Sequence, residues 1–511
     1  MIVIGGREIS REDFYRIIFN QERIELDVKS LASVNESFLF LKEFSKNKII
    51  YGINTGLGPM SQYKVNEQDR LALQYNLIRS HAAGTGNPIS EIHVKALMIT
   101  RLNMLMKGFS GIHPSAVELL RDFINHDITP VIPRHGGVGA SGDLVQLAHL
   151  ALALIGEGEV TVKGERMDTA RAMNQAGINP ISMHIREALA LINGTSVMSG
   201  IGIVNVIYAR QLLDWAVAAS ALINEVVESY DDHFSIELNR VKPHPGQMEI
   251  TKKLQKILRD SKLTRKRAED LFNGTNGETV FTKKVQEYYS LRCITQILGP
   301  VTDTIQAAEK VVLNEINSVN DNPVIDFHNG NVFHGGNFHG DYVSLEMDKL
   351  KLAITKLSML AERQLNFLMN DKLNGKLPPF VNLGVLGLNL GMQGTQFTAT
   401  STVAENQVLS NPVYVHSIST NNDNQDLVSM GTNAALMACQ IIENSYEVMS
   451  VHLLTLIQAV DFLKIEDKMS TYTRELYLKL RTEVPAFQED HFMSPDILKI
   501  NEYISHNSLN I

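Results

Sequence analysis

The chain has 511 residues, 44% hydrophobic and 20% charged, a globular balance that excludes a disordered protein. Its formal charge is −9, and its one basic run, Lys262 to Arg267, is short and followed by Glu269 and Asp270. A solvated loop or helix end is expected there, and no nucleic-acid-binding face.

Glycine and proline cluster at 52–58, 84–88, 133–142, 243–246, 335–340 and 384–394, with helical patterns between. Leu144 to Ile155 is apolar on most faces and ends at Gly156. Val160-Thr-Val, with Gly164 nearby, predicts a hairpin. The stretch from Ser196 to Val227 is broken by Arg210 and Asp214, so a buried helix is expected, not a membrane span. Val324-Ile-Asp-Phe and Val332-Phe, around Asn329-Gly-Asn, predict a second hairpin. Leu345 to Met369 carries Leu350, Ile354, Leu357, Leu360, Ala361, Leu365 and Leu368 at helical steps, and Ala434 to Leu463 repeats the pattern. The expected fold is mainly α: a long central helical bundle with a smaller N-terminal mixed domain carrying the glycine-rich loop. The expected boundary divides 1–195 from 196–511. Cys293 and Cys439 both lie in apolar stretches and make no disulfide framework. The N-terminus has no basic region ahead of an apolar stretch, and a cytoplasmic protein is expected.

Residues 135–143 read His-Gly-Gly-Val-Gly-Ala-Ser-Gly-Asp. Three explanations compete. Ser141 could cap a helix starting near Asp143, with the glycines only allowing the turn. Gly137, Gly139 and Gly142 match G-x-G-x-x-G, but nucleotide binding wants alternating strands and helices and no acid after the last glycine. The third is a self-made electrophile: the Gly142 nitrogen attacks the Ala140 carbonyl carbon, and Ser141 loses water, leaving a methylidene imidazolone. Gly142 lets the nitrogen approach, Ala140 does not block closure, and Ser141 supplies the hydroxyl. Composition does not choose among them.

The run from Gly136 to Leu144 resembles the signature of the histidine, phenylalanine and tyrosine ammonia-lyases, and the resemblance continues over nearly the whole chain. The chain looks most like the bacterial tyrosine ammonia-lyases. The resemblance implies that Ala140, Ser141 and Gly142 form 4-methylidene-imidazole-5-one (MIO), with no external cofactor. It implies that Tyr51, in Tyr51-Gly-Ile-Asn-Thr-Gly-Leu-Gly58-Pro, removes the β-proton while the ring takes up the amine; attack by the aromatic ring stays open as an alternative. Asn193, in Asn193-Gly-Thr, would contact the ring or amine. Gln286, Tyr289 and Arg292 match a further motif, although Tyr288 stands where proline is frequent. Their three-residue steps predict one helical face, with Arg292 clamping the substrate carboxylate. Gly58 and Phe338 would line the pocket. The segments Asn317 to Pro323 and Gly335 to Gly340 also resemble family loops. His334 and His339 lack partners at ligand spacing, and no metal is expected. The resemblance further implies a homotetramer whose sites each draw on three subunits.

For the substrate, His81 occurs in histidine- and tyrosine-selective members, whereas Gln425 stands where the histidine lyases carry glutamate. The pair points to tyrosine, giving trans-p-coumarate; histidine, giving urocanate, is the alternative, followed by phenylalanine or an aminomutase outcome. A helical interaction protein with an intact Ala140–Gly142 backbone is the non-enzymatic rival.

Overall fold

A computed structural model describes residues 1–46, 48–272, 279–281, 284–416 and 418–511. The fold is mainly α. The helices expected from apolar spacing form: Leu144–Leu154, Ser196–Val226, Asp341–Met369 and Gly431–Leu463. Ser196–Val226 and Gly431–Leu463 are long and apolar enough to cross a membrane. Of the most apolar stretch of each, 83% and 78% is buried inside the protein, which is how core helices behave.

Both expected hairpins form. Glu159–Val162 pairs with Glu165–Asp168 and also with Ile128–Pro130, making three antiparallel strands. Val324–Asp326 pairs with Asn331–Phe333. Two further pairings carry no sequence pattern, because strands of three or four residues are too short for alternation to register. Ile2–Ile4 runs parallel to Ile24–Leu26. Thr85–Pro88 runs antiparallel to Pro133–His135, which fixes the entry to the glycine-rich loop.

The contacts divide the chain into two compact units. The first comprises Met1–Ile207, Ala308–Asp348 and Pro412–Cys439. In it the helix Glu91–Leu105 crosses the start of Ser196–Val226 closely: a Cβ on Gly200 would lie 2.5 Å from the Leu97 backbone. Leu97, Leu102, Leu147, Ala151, Ile201 and Val204 are buried in this unit. Burying each of the Leu, Ile and Val side chains contributes about 1.5–3 kcal/mol before entropy is subtracted.

The second unit comprises Tyr208–Ala307, Lys349–Asn411 and Gln440–Ile511. Trp215 is fully buried there, its Nε1 donating to Asn507 O at 3.0 Å. Arg210 and Asp214 do not break the helix; Asp214 pairs with Lys253 at 2.6 Å. The basic run is not a freely solvated loop. Arg265 and Arg267 lie over the Tyr230 ring, at 4.5 and 4.3 Å, and Arg267 pairs with Asp232 at 2.6 Å. Cation–π contact and ion pairing tie the run to its own unit.

Candidate active site

The glycine-rich loop ends at the helix Leu144–Leu154, but Ser141 does not cap that helix. Asp143 occupies the cap position, and its carboxylate turns to a different helix. It accepts from Val197 N at 3.0 Å, Met198 N at 2.9 Å and the Thr432 hydroxyl. Asp143 thus secures the first turn of Ser196–Val226. Its complete burial pushes its pKa up to about 6, against the pull of those donors.

Three distant segments grip the loop. Met430 N donates to Val138 O at 3.0 Å. The Ser429 hydroxyl and Gly340 N donate to Gly139 O at 3.0 and 3.1 Å. Asp143 N donates to Gly194 O at 2.8 Å. Gly142 has φ +71°, and a Cβ there would lie 2.0 Å from Gly194 O, so only glycine fits.

Ser141 is held at both of its oxygens. Asn193, at the end of Glu187–Ile192, donates from Nδ2 to Ser141 O at 3.1 Å. Gln425 donates from Nε2 to Ser141 Oγ at 2.8 Å. Positions 141, 193 and 425 therefore meet.

Ser141, Asn193 and Gln425 open into a cavity of about 900 Å³, also lined by Tyr51, Gly58, His81 and Phe338. Tyr51 Oη accepts from Gly58 N at 2.9 Å, across a loop closed by Gly56 N to Tyr63 O at 2.8 Å. His81 ends the helix Arg70–His81. Its Nδ1 lies 3.0 Å from Leu77 O. The Ser80 hydroxyl lies 3.1 Å from the same nitrogen; in the tautomer whose Nδ1–H donates to Leu77 O, Nε2 is an acceptor. The cavity lining contains His81 and His334 but, among the described residues, no Lys, Arg, Asp or Glu. Burial lowers the His334 pKa.

Leu73, Asn76, Leu77 and Ser80 also line the cavity, and sequence reasoning missed them. Their three- and four-residue steps leading to His81 were the available signal. Tyr63 lines it too, with no comparable pattern to announce it.

Gln286, Tyr289 and Arg292 do not line this cavity. They line a groove of about 630 Å³ within the second unit, with Lys284, Arg363 and Phe367. The expected single helical face is not formed. Only Tyr289–Arg292 is helical, because Tyr288 at its N-cap is extended at φ −63° and ψ 156°, leaving Gln286 outside. The Arg292 guanidinium lies over the Tyr289 ring at 4.8 Å, and its Nε is buried without a hydrogen-bond partner among the described residues. No three His, Cys, Asp or Glu side chains gather as a metal site among the described residues.

The chain is thus mainly helical, with a glycine-rich loop gripped at both oxygens of one serine. The chain belongs to the aromatic amino acid lyase family, whose model matches residues 9–482. It is therefore a carbon–nitrogen lyase acting on a small-molecule amino acid. It is 37% identical over 510 residues to the histidine ammonia-lyase of Bacillus subtilis (strain 168), covering 100% of this chain and 97% of that one. It is 39% identical over 495 residues to the tyrosine 2,3-aminomutase of Chondromyces crocatus, covering 95% and 93%. The solved tyrosine aminomutase from Streptomyces globisporus superposes with a TM-score of 0.94 at 35% identity, covering 99% and 96%.

Proposed function

We propose that this chain is an ammonia-lyase whose electrophile forms from Ala140, Ser141 and Gly142. The observation that carries the reading is the two-sided grip on Ser141, whose carbonyl receives Asn193 and whose hydroxyl receives Gln425. The residues fit an internal MIO ring. The cradle at Gly142 excludes any side chain, and Ala140 is small and buried. Gln425 donates to the very oxygen that must leave as water. Once formed, MIO supplies an electrophilic methylidene carbon and an electron sink. The chain's own groups do the rest. The Asn193 amide is aimed at the oxygen where negative charge gathers. Tyr51 takes the β-proton, and Gly58 N–H is aimed at the Tyr51 oxygen that must be free of its own proton to act.

A substrate carboxylate needs a cation, and the cavity lining has no Lys or Arg among the described residues. We assign that part to Arg292, whose planar fork matches two oxygens, with Gln286 and Tyr289 beside it. These three come from neighbouring protomers of a homotetramer in this reading.

The substrate is a narrower matter. Several similar histidine ammonia-lyases, at 36–39% identity, support histidine better than the tyrosine expected from the sequence. Elimination would then yield urocanate. Tyrosine retains one specific support in the cavity. In the tautomer whose Nδ1–H donates to Leu77 O, His81 Nε2 would accept from a phenol hydroxyl, and Gln425 offers an imidazole no charge. The test is incubation with histidine, tyrosine and phenylalanine separately, following the ultraviolet bands of the three unsaturated acids and chromatography for β-amino acids. Turnover of histidine alone removes the tyrosine reading, and accumulation of a β-amino acid makes the chain an aminomutase. Inertness toward all three sinks the proposal. His81→Phe is expected to shift preference toward phenylalanine by roughly tenfold or more; unchanged selectivity takes His81 out of the ring pocket.

A further inference from the structure

Behind the Asn193–Gly194 turn lies a charge for which the chemistry above has no use. Arg101, on the helix Glu91–Leu105, is 0% exposed. Its Nη2 donates to Ala190 O, while Nε and Nη1 have no hydrogen-bond partner among the described residues. Nη1 lies against Gly194: a Cβ there would be 2.6 Å from it and 2.5 Å from Asn320 O. Gly194 is the residue on which Gly142 rests, through the Gly194 carbonyl that Asp143 N–H also engages. One glycine thus separates a buried guanidinium from the segment that must cyclise.

Such a group is costly to bury with two donors unmatched, and a methionine would fill the space without that cost. Burial pulls the Arg101 pKa down to about 10, while Asp321 and Asp143 hold it up and the nearby Arg186 opposes them. The attraction is mutual, since Arg101 also favours ionised Asp143, the carboxylate that anchors the start of Ser196–Val226. Arg101 therefore works on both flanks of Gly142. It ties the Ala190–Gly194 turn from behind, and it supports the charge on the next residue, Asp143.

We propose that Arg101 is a positioning residue for closure of the ring, pressing the Gly194 turn onto Gly142 so that the Gly142 nitrogen faces the Ala140 carbonyl carbon. The inference rests on the internal-ring reading. In the first step the bond from Gly142 N to Ala140 C forms. The Ala140 oxygen leaves as water with the protons of the Gly142 and Ser141 amides, creating a double bond between Ala140 C and Ser141 N. In the second step the Ser141 Cα proton and the Oγ hydroxyl leave as another water, creating the Cα–Cβ double bond. No oxidant is involved. Arg101 touches none of the reacting atoms; it sets their approach, and misplacement of order 1 Å can cost about a hundredfold in rate.

The test is intact-mass measurement of purified wild type, Arg101→Met and Arg101→Lys, with melting and circular dichroism as the check on folding. Closure removes two waters, about 36 Da from the encoded mass. Wild type is expected at the lowered mass. Arg101→Met, folded, is expected to close roughly tenfold to a hundredfold more slowly, leaving mostly encoded mass soon after synthesis. Arg101→Lys keeps the charge and most of the volume, so it is expected to fold and to fall between the two. Folded Arg101→Met at the fully lowered mass, with wild-type time course, overturns the role. If Arg101→Met is insoluble, Arg101→Lys decides: slow closure supports the role, and a wild-type time course removes it. Wild type at the encoded mass would instead refute the ring itself, a separate failure.

Discussion

Tyr51 and Gly58 sit on one loop, joined by a 2.9 Å hydrogen bond from amide to phenol oxygen. Tyr51 lines the same cavity as Ser141 while its hydroxyl engages Gly58 N, so in the proposed scheme proton removal and ring formation are separable steps. Tyr51→Phe is accordingly expected to lower kcat by more than roughly a hundredfold, the scale of a lost general base. It should leave the mass deficit of about 36 Da intact. Turnover at wild-type rate would remove Tyr51 from the chemistry, and an unclosed loop would make it part of ring formation. Single residues with strong local motifs were legible here: Ser141, Asn193, Gln425 and Tyr51 all reach one cavity. The Leu73–Ser80 contribution was not read, because a helix face lining a cavity looks in sequence like a helix face lining a core.

At the scale of elements, the structure reassigns what the glycine-rich loop does for its neighbours. The acid after Gly142 was expected at a helix start, and it is there, but its carboxylate stabilises the helix that begins at Ser196. The loop and two helices are therefore joined at one buried carboxylate. Gly142→Ala puts a Cβ 2.0 Å from a backbone oxygen, in a left-handed conformation. The loop must shift, at a cost of about 1–3 kcal/mol for the backbone alone. Gly142→Ala is expected to fold with a lowered midpoint, at the encoded mass with no water lost. A full mass deficit in that variant would show that close packing on Gly194 is not needed for closure. The segment around Arg292 teaches the opposite lesson. Regular spacing promised a helical face, and one extended residue, Tyr288, ended it. Short helices of one turn depend on their surroundings more than on their spacing.

Across the whole molecule, the long apolar helices leave some polar groups stranded. His452, on Gly431–Leu463, is fully buried, and neither ring nitrogen has a partner among the described residues. Burial lowers its pKa to about 3 from the ordinary 6.5. The sign follows from proton binding. Below pH 6.5 the unfolded chain protonates this ring and the folded chain does not, so its contribution to stability is complete above 6.5 and is lost as pH falls toward about 3. His452→Leu lacks that loss. Its melting midpoint relative to wild type is expected to rise steadily as pH drops from 6.5 toward 3, and a difference that stays constant with pH would take His452 out of the acid response. Buried Asp143 shifts in the other direction, up to about 6, so stability tied to it falls as pH rises from 3.8 to about 6. The comparison of variant with wild type cancels that background.

The sequence by itself determined the four apolar helices, both hairpins and the glycine-rich loop, because apolar spacing and glycine placement are local constraints on the backbone. Only the tertiary structure decided that Asp143 serves a second helix, that Gln425 reaches the Ser141 hydroxyl, and that Arg101 lies behind Gly194. Each joins residues tens to hundreds of positions apart. Such meetings are set by how buried faces pack, and a buried cation in a helix of leucines and methionines leaves no trace in spacing that says what it faces.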